Sequence, residues 1–274
     1  MARCVVVLID GLRPDAVTRM HMPVLRRLSR SYTRAHHAVT VRPSATVAAL
    51  TSLATGVSPQ RHGLVEPGLS FLSRLGVLRP LARELRAADI RSIVAAGPLA
   101  LRSQPIAWAL AACAGIEQLL CADDGSPHEV VLTGLEALAA RSSAFGFLYL
   151  SDCDRAGHEH GWMSLPYLET VTRVDDALGL LVPVLEDTLV IVLADHGGGG
   201  VRPTDHDLPH PLNDRIPMVF AGADARREHL ITRPLSILDV PATILHWFGL
   251  AIPHSYEGRP IIDAFIGARE DEAA

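Results

Sequence analysis

An α/β fold with a mostly parallel central sheet and helices on both faces is predicted by three features of the sequence. β-like runs alternate with helical patterns, several of those runs are near-continuous Val, Ile and Leu, and three of them end in residues able to bind metal. Alternation of the two periods is the signature of a parallel sheet covered by crossover helices. Unbroken apolar runs mean strands buried on both faces. In such sheets the carboxyl ends of parallel strands share one rim, so residues far apart in sequence meet there.

The elements follow in order. Cys4-Val-Val-Val-Leu-Ile9 is the first strand, and Asp10-Gly11 ends it. A helix is predicted over Pro23–Ser31, with the proline in the first turn, where a missing N–H costs nothing. Small residues make a helix over Thr46–Ala54, and another is expected over Pro80–Ala88. Strands at Arg91–Ala96, Phe145–Leu150, Thr188–Ala194 and Pro217–Ala221 alternate with helices over His128–Ala140, Tyr167–Leu185 and Ser236–Phe248. Residues 67–125 are the least regular part, with Pro67-Gly68 and Gly97-Pro98; they read either as a small irregular cap or as long crossovers. No linker or internal repeat interrupts the pattern, and 274 residues at 49% hydrophobic content predict a single domain, 1–274, able to bury roughly three quarters of its unfolded surface.

Composition narrows the function classes. A net charge of -5 and a pI near 6.2 argue against a nucleic-acid-wrapping surface. All 25 basic residues are arginine. Cys4, Cys113, Cys121 and Cys153 form no Cys-x-x-Cys pair and read as incidental thiols. Residues 1–9 read as a strand rather than a secretory signal, and the apolar stretch Ile106–Leu120 is too short to span a bilayer. The expectation is a cytoplasmic protein with no membrane partner; the sequence leaves its oligomeric state open.

Three clusters carry the chemistry. Asp10-Gly-Leu-Arg-Pro-Asp15 places a carboxylate at the end of a buried strand beside a glycine that permits a tight turn. Alone it reads as a helix cap or turn, but Asp195-His196, followed by four glycines, closes a second buried strand in the same manner. In the second cluster, Arg42-Pro-Ser44-Ala-Thr46, the hydroxyl of Thr46 opens a helix, where free N–H groups and the dipole favour an anion. A hydroxyl is a weak nucleophile until a metal ion stabilises its alkoxide. The plain alternative is a helix cap by Ser44 or Thr46. In the third cluster Asp154 and His158 stand four apart, with Gly157 expected to turn the backbone so that both reach one ion. A further ligand is expected from His206 or His210, and spacing does not choose between them.

Asp10-Gly, Pro-Ser-x-Thr46 upstream of Thr55-Gly56, Pro-x-x-His62-Gly63, Asp154-x-x-Gly-His158 and Asp195-His196-Gly197 together resemble the alkaline phosphatase superfamily. The resemblance is greatest to its nucleotide pyrophosphatase/phosphodiesterase branch, which includes phosphonoacetate hydrolases. It implies an alkaline-phosphatase-like sheet and two divalent ions, zinc first and manganese or iron next. Asp10, Thr46, Asp195 and His196 would hold one ion, and Asp154, His158 and His206 or His210 the other. The implied chemistry is in-line attack by the Thr46 oxygen on a small-molecule phosphate ester, a phospho-threonine intermediate and its hydrolysis. The rival readings are a phosphonoacetate-type or phosphomonoester hydrolase and a non-catalytic nucleotide-binding relative.

Two departures matter. The family's phosphate-binding asparagine downstream of the nucleophile is absent; Asn213 is the only asparagine in the chain. Arg42 or the Val47 amide could donate instead. Sulfatases of the superfamily need a Cys-or-Ser-x-Pro-x-Arg segment, which Ala45-Thr46 does not supply.

Overall fold

The main sheet grows around the most apolar runs of the chain. In the computed structural model, which describes residues 2–66, 74, 78–98 and 104–267, the strands are β1 (Ala2–Ile9), β2 (Thr33–Ala35), β3 (Ala38–Val39), β4 (Arg91–Ala96), β5 (Gln118–Cys121), β6 (Ser143–Leu150), β7 (Thr188–Leu193), β8 (Arg215–Ile216), β9 (Met218–Gly222), β10 (His229–Ile231) and β11 (Leu235–Ser236). Eight of them form one sheet in the order β10-β2-β9-β7-β1-β6-β4-β5, and β11-β3-β8 form a small second sheet. β1 pairs in parallel with both β6 and β7 at the centre. Every residue of β7 is buried, as are Cys4 to Ile9 of β1. At ~1.5–3 kcal/mol per buried Val, Leu or Ile side chain, these two strands supply much of the drive for collapse.

The helices are α1 (Pro23–Ser31), α2 (Thr46–Thr55), α3 (Pro59–His62), α4 (Leu81–Ala87), α5 (Gln104–Ala114), α6 (Pro127–Ala139), α7 (Asp152–His160), α8 (Leu165–Leu178), α9 (Pro211–Asp214) and α10 (Asp239–Trp247). α2, α4 and α10 pack together over the face that carries Val6, Phe145 and Phe147. α6, α8 and α1 cover the other face. α1 has no capping side chain of its own; the buried Asp175 of α8 accepts from the amides of Val24 (2.7 Å) and Leu25 (2.9 Å) instead. Among the described residues no helix is long and apolar enough to cross a membrane.

Several elements differ from their sequence expectation. The helix expected over 167–185 ends at Leu178, and a 3-10 segment, Gly179–Val184, replaces its last turns because Pro183 lacks the N–H an α-helix needs there. The strand expected at 217–221 forms as β9 but runs antiparallel to β7. The helix expected from Ser236 starts at Asp239, since Leu235 and Ser236 pair with β3. Within 67–125, β4 and the edge strand β5 are parallel strands of the main sheet, and α4 and α5 lie beside them. Residues 67–73, 75–77 and 99–103 of that segment lie outside the described residues.

Candidate active site

Register brings the first two carboxylates together. Leu8 of β1 faces Leu193 of β7, so two residues further on Asp10 and Asp195 leave the sheet side by side. Gly11, with φ +68°, turns the chain immediately after Asp10, and its amide donates to Asp195 Oδ1 (3.2 Å). A Cβ on Gly11 would lie 2.8 Å from the Cα of Asp154, so glycine here also lets the first and third clusters approach. His196 completes the inner group, its Nε2 lying 3.3 Å from Asp10 Oδ1 and 3.5 Å from Asp195 Oδ2. Asp10, Asp195 and His196 are all buried.

Asp154 and His158 follow β6 on α7 rather than on a loop. Their spacing works because residues four apart share a helix face, not because Gly157 turns the chain. Gly157 is needed for packing: a Cβ there would lie 2.4 Å from the Trp162 indole. His206 comes to the same place from the segment after β7. Its Nε2 is 3.7 Å from Asp154 Oδ1 and 3.1 Å from His158 Nε2, while His158 Nε2 is 3.5 Å from Asp154 Oδ1. The His196 and His206 rings stack at 3.9 Å between centroids, so inner and outer groups form one continuous cluster. Ligand atoms of Asp10, Asp195 and His196 lie within 4.8 Å of one another, as do those of Asp154, His196 and His206.

Hydrogen bonding sets the tautomers. The Nδ1 atoms of His158, His196 and His206 face the backbone carbonyls of Thr204 (3.0 Å), Gly197 (2.8 Å) and Ser44 (2.7 Å). A carbonyl only accepts, so each Nδ1 carries the proton and each Nε2 presents a lone pair to the cluster. Three lone pairs therefore converge with three carboxylates. Asp10 Oδ1, Asp154 Oδ1 and Asp195 Oδ2 are buried and accept no hydrogen bond among the described residues. Six acceptors facing one another, with a hydroxyl donor (Thr46) at His196 Nε2 alone, are costly unless a cation lies among them. Imidazole anchored through its far nitrogen, with carboxylate oxygens and no thiolate, is the donor set of a divalent metal centre. The residues fit a metal.

The same crowding shifts protonation. Burial, reinforced by the neighbouring Asp195 carboxylate, raises the Asp10 carboxyl well above its ordinary range. Burial pushes Asp195 up to about 7. Burial and the neighbouring His196 ring bring His206 down to about 4, so its imidazole is neutral at neutral pH.

Thr46 is the first residue of α2, and its hydroxyl donates to His196 Nε2 at 3.1 Å. Neither hydroxyl caps this helix: Ser44 Oγ donates to the His206 carbonyl (2.8 Å), and the N-cap is Ala45, which makes no side-chain bond. The first intrahelical donor is Ala49, to Ala45 (3.0 Å), so the amides of Thr46, Val47 and Ala48 have no acceptor within the helix. An uncapped helix end carrying a hydroxyl beside a metal-competent cluster is suited to a phosphoryl group.

Other candidates stand apart. His210 is not brought to either group; its Nδ1 accepts from the Leu212 amide (3.2 Å) at the start of α9, and its ring packs on Gly200. Asn213 is consumed structurally, donating to the carbonyls of His206 (3.1 Å) and Leu208 (2.7 Å) and accepting from the Gly200 amide (3.0 Å). Arg42 pairs with Asp214. His62 is buried, with Nδ1 accepting from Leu64 (2.9 Å) and Nε2 facing Ser52 Oγ (3.1 Å).

Sequence reasoning missed Tyr149 and Trp162. Tyr149 of β6 donates its hydroxyl to Asp10 Oδ2, leaving Oδ1 for the cluster. Trp162 donates Nε1–H to the Gly11 carbonyl (2.8 Å), its ring fills the space left by Gly157 and Gly198, and its Cβ lies against Gly199. The four-glycine run was the available signal, since consecutive residues without side chains imply a large neighbour.

Comparison with known proteins gives concordant results. The profile of the family described as "Type I phosphodiesterase / nucleotide pyrophosphatase" matches residues 4–69 and 119–232. Over 83 residues, 28% of the chain, the sequence is 35% identical to GPI ethanolamine phosphate transferase 1 of Saccharomyces cerevisiae; the match spans only 9% of that protein's length. Among solved structures, the phosphonate monoester hydrolase of Silicibacter pomeroyi superposes with a TM-score of 0.72 at 17% identity, covering 100% of this chain and 78% of that one. An inactive variant of murine ectonucleotide pyrophosphatase/phosphodiesterase 5, in complex with AMP, superposes with a TM-score of 0.73 at 16% identity, covering 93% of this chain and 97% of that one. At these identities the structural likeness establishes the fold.

Proposed function

Because the chain belongs to the type I phosphodiesterase/nucleotide pyrophosphatase family of the alkaline phosphatase superfamily, we propose that it is a two-metal hydrolase of phosphodiester or nucleotide pyrophosphate bonds with Thr46 as nucleophile. One observation carries this reading: three imidazole lone pairs and three unpartnered carboxylate oxygens converge beside the Thr46 hydroxyl. Asp10, Asp195, His196 and Thr46 would hold one ion, and Asp154, His158 and His206 the other. Zinc suits this donor set best, followed by manganese or iron. Such ions supply Lewis-acid stabilisation of the Thr46 alkoxide and of the departing oxygen.

The chain's own residues do the rest. Thr46 Oγ1 gives up its proton to solvent and attacks phosphorus, the bond from phosphorus to the ester or anhydride oxygen breaks, and the departing alkoxide or phosphate takes up a proton from solvent. Water then cleaves the phospho-threonine and restores the hydroxyl. Free amides at the start of α2, Val47 first, donate to the phosphoryl oxygens in place of the absent asparagine. Imidazoles fixed through Nδ1 keep their Nε2 atoms aimed inward at no reorganisation cost during the reaction.

The test is restoration of activity. Chelator-treated protein assayed on bis(4-nitrophenyl) phosphate should regain turnover with zinc, manganese or iron. Failure with all three, on this diester and on an aryl phosphonate monoester, would leave the non-catalytic relative as the better reading.

A further inference from the structure

Some exposed arginines of this chain close on carboxylates, Arg91 on Glu117 (2.5 Å), Arg79 on Glu84 (2.6 Å) and Arg155 on Asp152 (2.7 Å), while Arg86 and Arg215 stand singly without one among the described residues. The outer side of α1 gathers four in one place. Arg19, Arg26, Arg27 and Arg30, with Pro23 and Ser31, line a cleft of about 530 Å³. None of these four arginines forms an ion pair among the described residues, and Arg26 Nε is buried with no acceptor. Asp175, the carboxylate at the head of α1, already accepts from two backbone amides.

This arrangement is unfavourable as it stands. Arg26 and Arg30 lie one turn apart on the same helix face, Arg27 and Arg30 nearly so, and like charges at these spacings repel. Arg30 gains from the helix dipole, being in the last turn. Arg27 gains from the nearby Asp175 carboxylate, whereas Arg19 and Arg26 have no such compensation. Composition does not explain the cluster either, because the chain as a whole carries a net charge of -5. A buried donor without an acceptor, among unpaired guanidinium groups in a concave surface, calls for an anion.

We propose that this cleft binds a multiply charged phosphate group, a diphosphate or triphosphate. Guanidinium offers planar pairs of donors that match phosphate oxygens two at a time, and four such forks suit a ligand with several charges better than a single monoanion. The cleft falls within the ~300–1,000 Å³ range of small-ligand sites. The proposal is independent of the catalytic reading, because none of the lining residues belongs to the carboxylate and histidine cluster.

Calorimetric titration of the chelator-treated full chain with sodium tripolyphosphate, at low and at moderate salt, tests it. Saturable binding that weakens with salt is expected. It should fall by about tenfold or more in the Arg26→Gln/Arg30→Gln variant, and equally in Arg27→Gln/Arg30→Gln, which replaces only exposed side chains and guards against a folding artefact. Arg91→Gln should bind as the parent does, and both double variants should keep hydrolytic activity. Undetectable binding by the parent, or binding by both double variants as tight as the parent's, overturns the proposal. A flotation arm with phosphatidylserine–phosphatidylcholine vesicles separates the sources: vesicle binding without tripolyphosphate binding would make the cleft a contact for acidic lipid and defeat the assignment to a soluble polyphosphate.

Discussion

The inner and outer halves of the metal-competent cluster are built differently. Asp10, Asp195 and His196 sit at the ends of the two central strands with side chains 0–2% exposed. Asp154, His158 and His206 come from α7 and from the segment after β7, with side chains 19%, 46% and 7% exposed. The inner half inherits its geometry from sheet register. The outer half depends on one helix, on Trp162 behind it, and on carbonyls of Thr204 and Ser44 that aim the rings. The inner half should therefore bind its cation more tightly and tolerate less change, while the outer half should exchange with solvent more readily.

The largest expected effect lies where the halves meet. Thr46→Ala should lower kcat by about a thousandfold or more, equivalent to ~4 kcal/mol of transition-state stabilisation, while metal content changes little. Steady-state kinetics with elemental analysis separates those two outcomes; retained turnover would remove Thr46 as nucleophile.

Asp195→Asn and His158→Ala then set one half against the other. The first removes a buried charge and should weaken metal retention by about a hundredfold. The second removes a half-exposed ligand and should weaken it by about tenfold, both within the range seen when metal shells are disturbed. Dialysis against competing chelators reads the difference. Equal losses would contradict the proposed asymmetry.

The packing behind the outer half gives a smaller effect. A Cβ on Gly198 would lie 2.1 Å from the Trp162 ring, so Gly198→Ala should cost about 1–3 kcal/mol in denaturant unfolding through overpacking. An unchanged midpoint would show that the indole can move aside.

Acidity gives the most gradual effect. Burial holds the Asp195 carboxyl up to about 7 and brings the His206 imidazole down to about 4. Below pH 7 a proton on Asp195 competes with the cation, whereas His206 adds no competition until far lower pH. Affinity at the inner half should weaken as pH falls from 7, by about tenfold per pH unit for each carboxylate, Asp195 and the likewise raised Asp10, that takes up a proton. Calorimetry in buffers of different ionisation enthalpy should show net proton release on metal uptake near pH 6.5; zero release would contradict the shift.

The contrast between halves also governs what could be read in the sequence. Asp10 and Asp195-His196 were legible because each closes an unbroken apolar run, and such runs become adjacent strands that deliver their ends to one rim. The Asp154-to-His158 spacing was legible as a pair but not as a helix: Gly157 and four charged or histidine neighbours mask the pattern, and the reason for the glycine is Trp162, distant in none of its atoms but absent from any periodicity. His206 and His210 could not be separated by spacing, because what distinguishes them is which carbonyl or amide each ring meets. Tyr149 was invisible within the apolar run of β6. β9 was legible as a strand, but its direction depends on how the chain returns from the β7 end. Three-residue strands such as β2 and β10 are too short to leave a periodic signal.

The central claim is a pair of divalent cations held around the Thr46 oxygen by these six side chains. Its most direct test is anomalous scattering from crystals of zinc-loaded protein. Two adjacent peaks are expected, one among Asp10, Asp195 and His196 and one among Asp154, His158 and His206. No peak at either position in crystals grown with excess zinc would contradict the account.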